Sequence, residues 1–145
     1  MNIMKTAEKN GITIETSVNA PVEKVWACWT EPVHISQWAF AIDTWHAPYA
    51  ENDLRKDGRF KTRMEAKDGS MGFDFEGIYT VVDANKLIEY SIADGRKVIT
   101  AFDSLDGKTT KITQTFEAEN ENPVDMQRDG WQAILDNFRK YTESL

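Results

Sequence analysis

Ile12-Thr13-Ile14-Glu15-Thr16-Ser17-Val18, followed directly by Asn19-Ala20-Pro21-Val22-Glu23-Lys24-Val25-Trp26-Ala27-Cys28-Trp29, is the stretch on which the reading of the fold turns. Ile12, Ile14, Thr16 and Val18 alternate with polar neighbours, which is the period of a half-buried strand. Asn19-Ala20-Pro21 stops that strand and starts a helix, with Val22, Val25, Trp26 and Trp29 on one face. Glu31-Pro32 breaks the helix, and Val33 to Gln37 form one more short helix, ended by Trp38. At the far end, Asn122-Pro123 opens a long second amphipathic segment that runs nearly to Leu145. Strands held between sequence-distant helices point to a curved sheet gripping the final helix, an arrangement that often encloses a cavity.

The middle of the chain reads as strands and turns. Ile42 to Ala47 is expected to be a short strand carrying Trp45, with Pro48 and Glu51-Asn52-Asp53 as a loop. Lys56-Asp57-Gly58 is a turn. Arg59 to Ala66 alternates, with Phe60, Thr62 and Met64 on one face and Arg59, Lys61, Arg63 and Glu65 on the other, as in a strand with one wet side. Lys67-Asp68-Gly69-Ser70 turns into a long strand from Met71 to Val82, with Phe73, Phe75 and Tyr79 facing inward. Gly77 interrupts it and marks an expected bulge or bend. Lys86 to Ile92, Val98 to Leu105 and Thr109 to Glu117 complete the set, the last two joined by Asp106-Gly107, a strong hairpin signal. The class is therefore α+β: about six or seven mostly antiparallel strands, two short helices after the first strand, and a long C-terminal helix against the sheet.

In the closing segment Asn122 is the expected N-cap and Pro123 the first helical residue. Val124, Trp131, Ile134, Leu135, Phe138, Tyr141 and Leu145 form one stripe at helical spacing. Gln127 projects into the middle of it, and a polar side chain there needs a partner or water. Gly130 costs about 1 kcal/mol in a helix interior relative to alanine, which close approach of the backbone to sheet or ligand would offset.

The 145 residues carry 17 Lys and Arg against 24 Asp and Glu, a net charge of −7. That balance disfavours a nucleic-acid partner, because phosphate binding needs a basic face. No stretch reaches the roughly 18 apolar residues of a membrane span. Residues 1–10 hold Lys5 and Lys9 without an apolar core; they read as a flexible terminus rather than a secretory signal, leaving 11–145 as one domain. The one cysteine, Cys28, excludes an internal disulfide, and a cytoplasmic location is the default expectation.

Several segments resemble the START-like superfamily, and within it the family named after the C-terminal domain of the heat-shock-protein-90 ATPase activator. They are Asn19 to Trp26 with Trp29-Thr30-Glu31-Pro32 and Trp38, Asp53 to Phe60, Phe75-Glu76-Gly77-Ile78-Tyr79, Lys86-Leu87-Ile88-Glu89-Tyr90 and Gly130-Trp131. Lys56 stands where that family often has proline. The resemblance covers about residues 11 to 144. It implies a helix-grip fold in which the sheet wraps the last helix around an apolar cavity. It leaves activity open, since such folds host lipid carriers, hormone receptors, cyclases and co-chaperones.

The residues themselves show little reactive chemistry. His34 and His46 stand far from any H-x-H or H-x-x-x-H spacing, so neither a metal site nor any other cofactor is expected. His34 reads as a surface or capping residue, and His46 as outward if Trp45 is inward. Cys28 reads as a small buried thiol. Asp74 and Glu76 alternate with inward aromatics and should face solvent. What remains is an aromatic-lined interior with sparse polar groups, as small-molecule sites have. The candidate ligand-binding residues are Trp45, Phe60, Thr62, Phe75, Tyr79, Gln114, Gln127 and Trp131. The expected function is binding of a small hydrophobic or aromatic molecule, without catalysis. The rival readings are a chaperone- or stress-related protein-interaction module, although full activators carry a separate N-terminal domain not found in this chain, and a cyclase- or dehydratase-type enzyme. The latter needs a titratable group at the cavity floor.

Overall fold

A computed structural model describes residues 11–145; the expected flexible terminus at 1–10 lies outside them. The elements follow as β1 (Gly11–Val18), α1 (Val22–Thr30), α2 (Pro32–Trp38), β2 (Trp45–Asn52), β3 (Arg59–Ala66), β4 (Gly72–Asp83), β5 (Leu87–Ile92), β6 (Lys97–Ser104), β7 (Thr110–Glu117) and α3 (Val124–Glu143). The seven strands form one antiparallel sheet in the order β1-β7-β6-β5-β4-β3-β2. Five consecutive hairpins build β2 through β7, and β1 then pairs with β7 from Gly11↔Glu117 to Val18↔Thr110. The two helices after β1 therefore carry the chain from one edge of the sheet to the other. The sheet curls around α3, which packs on β1 and meets α1 and α2. This is the helix-grip architecture expected from the sequence.

Alternation places the core as expected. Ile12, Ile14 and Val18 of β1, Ile112 and Phe116 of β7, and Val98 and Phe102 of β6 are buried. Phe138 of α3 is fully buried between Trp29 of α1 and Trp38 of α2, with ring centroids 4.8 and 4.9 Å away in edge-to-face geometry. Polar groups fix this junction. Trp38 Nε1 donates to the Cys28 carbonyl at 2.9 Å, and Asn137 Nδ2 to the Trp38 carbonyl at 2.9 Å. Cys28 is a buried free thiol whose pKa is raised by burial.

Four local expectations are corrected. β2 runs through Pro48 and into the segment read as a loop. It is an edge strand, and its register with β3 slips between His46 and Tyr49, which accommodates a residue that has no N–H to give. In β4 the register slip lies between Tyr79 and Val81, not at Gly77. Gly77 is needed for closeness instead: a Cβ there would stand 2.5 Å from the Ser91 carbonyl oxygen and 2.9 Å from the Phe60 ring. α3 begins at Val124 with Pro123 as its N-cap and no side-chain cap, one residue later than read from Asn122-Pro123. The two ends of its apolar stripe, Val124 and Leu145, are exposed, because the sheet does not extend beneath them.

Gly130 is not a point of close approach. A Cβ there meets nothing within 4 Å, so nothing in the fold offsets the helical cost of glycine. Gly130→Ala is expected to raise stability by up to about 1 kcal/mol, read as an upward shift of the urea midpoint with unchanged slope. A lower midpoint would show that the site requires glycine.

Candidate functional site

The concave face of the sheet and the inner face of α3 do not close on each other along their whole length. Between them lies a cavity of about 290 Å³. Its size follows from where the closing helix carries large side chains. At the Phe138 level the tryptophans of α1 and α2 fill the space. Nearer the start of α3, Trp131 lies flat on Phe116, with ring centroids 4.0 Å apart and planes 11° apart, and so stays at one wall. Gln127, one turn earlier, is drawn away from the interior altogether.

Six of the eight residues named from the sequence converge on this space: Phe60, Thr62, Phe75, Tyr79, Gln114 and Trp131. Phe60 and Thr62 come from β3, Phe75 and Tyr79 from β4, and Gln114 from β7, each pointing inward by the period-two rule. Cross-strand pairing brings them together, with Thr62 opposite Phe75 and Phe60 opposite Gly77. Gly77 lets the Phe60 ring lie over the sheet, where it reaches Tyr79 at 5.2 Å and Phe75 at 5.8 Å. Trp131 completes the wall from the helix side, edge-on to Phe75 at 6.0 Å. It is half-buried rather than wholly buried, since one face looks into the cavity.

Two of the eight are placed elsewhere. Trp45 is half-buried on the edge strand, with its ring 6.1 Å from Phe73, and is not among the residues lining the cavity. The reason is the longer β2, which begins at Trp45 and puts it at a corner of the sheet. Gln127 is buried, but its side chain turns to the loop before the helix. Its Oε1 accepts from the Glu119 backbone N–H at 2.9 Å. Its Nε2 donates to the Asn122 carbonyl at 2.8 Å and the Glu119 carbonyl at 3.2 Å. It anchors the β7–α3 connection and holds the helix start in place.

The sequence reading passed over Tyr90 and Arg96. Tyr90 follows Ile88 by two residues on β5 and sits opposite Tyr79, so the strand's alternation gave a usable signal. Its ring lies 4.7 Å from Phe60. Arg96 comes from the β5–β6 turn and reaches the lining from one end. Its Nε donates to Asp94 at 2.8 Å and its Nη1 to the Glu117 carbonyl at 3.0 Å. His34, expected at the surface, is half-buried, with Nδ1 2.6 Å from the Tyr141 hydroxyl, and it lies away from the cavity. His46 pairs with Glu65 at 3.4 Å on the edge of the sheet. Asp74 and Glu76 are exposed, as expected.

Among the described residues the titratable groups lining the cavity are Tyr79, Tyr90 and Arg96. Burial pushes the phenol of Tyr79 well above its ordinary value, against the opposing effect of its hydrogen bond to Asn52 Oδ1 at 2.6 Å. Burial does the same to Tyr90, with Tyr79 adding to it. Both phenols favour the protonated form more when folded than when unfolded. Their contribution to stability is therefore complete below the unfolded value near 10 and lost as pH rises past it, since the unfolded chain then binds fewer protons. Stability should fall steeply above about pH 10, and absorbance at 295 nm should show these tyrosines ionising only as the fold is lost. Smooth titration of all the tyrosines with ellipticity unchanged would contradict their placement.

An antiparallel sheet gripping a long helix, with an aromatic cavity between them, defines a helix-grip domain of the START-like class. Residues 19–143 match the family described as activator of Hsp90 ATPase homolog 1-like protein, and the chain belongs to that family. It is similar to the solution structure of an AHSA1-like protein from Aeromonas hydrophila, with 41% identity, 92% of each chain covered and a TM-score of 0.87. A solution structure from Cytophaga hutchinsonii is 52% identical over 93% of each chain, with a TM-score of 0.80. A crystal structure from Nitrosomonas europaea shares the fold at 16% identity, with a TM-score of 0.79 over 94% of this chain and 96% of that one. No curated protein matches. Among the described residues, no helix is long and apolar enough to cross a membrane, which says nothing of a β-barrel.

Proposed function

We propose that this protein binds a small hydrophobic molecule in the cavity between α3 and the concave face of the sheet, with Phe60, Thr62, Phe75, Tyr79, Gln114 and Trp131 in contact with it. The observation that carries this reading is the unfilled space itself. A mostly apolar concave space of about 290 Å³ with a few polar groups in its lining has the make-up of a small-molecule site. Its size is near the lower end of small-molecule sites, about 300–1,000 Å³. The lining supports binding rather than catalysis. Its titratable groups are two neutral phenols and an arginine already paired with Asp94, a poor set for general acid–base work near neutral pH.

The test is a thermal-shift screen of fatty acids, flavonoids, sterols and aromatic polyketides on the intact chain. A ligand present at a hundred times its dissociation constant should stabilise the fold by about 2.7 kcal/mol. If no compound shifts the melt, the binding function fails, and the family's chaperone link makes a protein-interaction role the reading to pursue.

A further inference from the structure

We propose that the cavity selects an uncharged molecule, with an apolar ring body and a hydroxyl or carbonyl group that is read by Tyr90, Thr62 and Gln114. The proposal rests on the binding function above and deepens it.

Tyr90, Thr62 and Gln114 are 7%, 5% and 5% exposed, so each is more than nine-tenths buried. All three line the cavity. The neighbouring polar groups have partners within the protein: Tyr79 donates to Asn52, and Gln114 Nε2 donates to Thr100 Oγ1 at 3.1 Å. The hydroxyls of Tyr90 and Thr62 and the Oε1 of Gln114 have no such partner among the described residues. Nor are they sealed in. Among the described residues Thr142 Oγ1 is the enclosed side-chain atom without a partner, whereas Tyr90, Thr62 and Gln114 belong to residues that line the cavity. A buried polar group without a partner is costly, and here the partner can come only from within the cavity.

Their placement matches a ring with a polar edge. Thr62 stands directly across from Phe75 in the β3–β4 ladder. Tyr90 approaches Phe75 from the other neighbouring strand, with ring centroids 6.2 Å apart and planes at 84°. An aromatic body laid against Phe75 and Trp131 thus has a hydroxyl on either side of it. Tyr90 and Thr62 can each donate or accept, while Gln114 Oε1 can only accept. The raised pKa of Tyr90 keeps it a neutral donor.

Charge is poorly served in the same space. Arg96 has its Nε on Asp94 and its Nη1 on the Glu117 carbonyl, and Asp94 offsets its charge. A carboxylate entering the cavity would lose its hydration and meet one cation, Arg96, whose charge Asp94 already offsets.

Three probes of one shape separate these features: naphthalene, 2-naphthol and 2-naphthoate, titrated into the intact chain at neutral pH and followed by tryptophan fluorescence. The hydroxyl should improve affinity about tenfold over naphthalene, and 2-naphthoate should bind no tighter than naphthalene. Tyr90→Phe removes one oxygen and should erase most of the preference for naphthol over naphthalene. Thr62→Val should reduce it in the same direction, and it decides the matter if Tyr90→Phe does not fold. Equal affinity for naphthalene and naphthol in the unaltered protein overturns the proposal, as does a preference that survives in every folded variant. Tightest binding by naphthoate also overturns it. In these cases the binding function stands; failure of all three probes to bind overturns this proposal, and the binding function falls with it only if the wider screen also finds no ligand.

Discussion

Phe138→Ala is expected to remove about 3–5 kcal/mol of stability, the usual cost of deleting a large aromatic from a core. Phe138 is fully buried and meets Trp29 and Trp38 in edge-to-face contacts, so one residue of α3 touches both short helices. Trp29 and Trp38 also contact each other at 4.9 Å, and Trp29 continues to Phe102 on β6 at 5.6 Å. Truncation removes the shared member of this cluster. The Trp38 ring is held by its Nε1 hydrogen bond to the Cys28 carbonyl, which limits its collapse into the gap. Chemical denaturation followed by ellipticity measures the loss. A cost below about 1 kcal/mol would mean that α3 is not gripped at this level, and the account of the fold would fail with it.

Gly77→Ala should cost about 1–3 kcal/mol, the penalty of overpacking. The added methyl would lie 2.5 Å from the Ser91 carbonyl, which is backbone of the adjacent strand and cannot swing aside. It would also lie 2.9 Å from the Phe60 ring, which lines the cavity. The substitution should therefore weaken ligand binding as well as the fold. The same exchange at Gly130 is expected to stabilise. Opposite signs at the two glycines, measured in one denaturation series, would confirm that Gly77 is retained for close packing and Gly130 is not; equal signs would refute that distinction.

Much of this architecture is legible in the sequence because its elements are strongly periodic. β1 and β3 alternate cleanly, β4 does so less well because its register slips after Tyr79 and Phe73, read as inward, is 48% exposed, and the stripe on α3 keeps helical spacing from Trp131 to Tyr141. The bounds of β2 were displaced: read as Ile42 to Ala47, it runs Trp45–Asn52, because an edge strand needs only one hydrogen-bonded neighbour. It tolerates Pro48, Glu51 and Asn52, all of which read as loop. Gln127 was correctly seen as a polar residue on an apolar stripe, but not its partners. They are backbone groups of Glu119 and Asn122, in an irregular connection with no period to read. Tyr90 was within reach of the alternation Ile88–Tyr90 on β5, but its place opposite Tyr79 depends on the β4–β5 register. Arg96 had no signal at all, since its reach depends on how the β5–β6 turn folds back. The cavity walls were thus largely readable from alternation, whereas the groups that set its polarity depended on register and on turns.

The central claim is that the space between α3 and the sheet is a binding site, and amide and side-chain NMR of the labelled protein tests it most directly. Any compound that raises the melting temperature would be titrated in, and the shift changes mapped. Changes should concentrate at Phe60, Thr62, Phe75, Tyr79, Tyr90, Gln114 and Trp131, with Arg59, Lys61 and Arg63 on the wet face of β3 unmoved. Changes confined to that outer face, or to the loop held by Gln127, would contradict it.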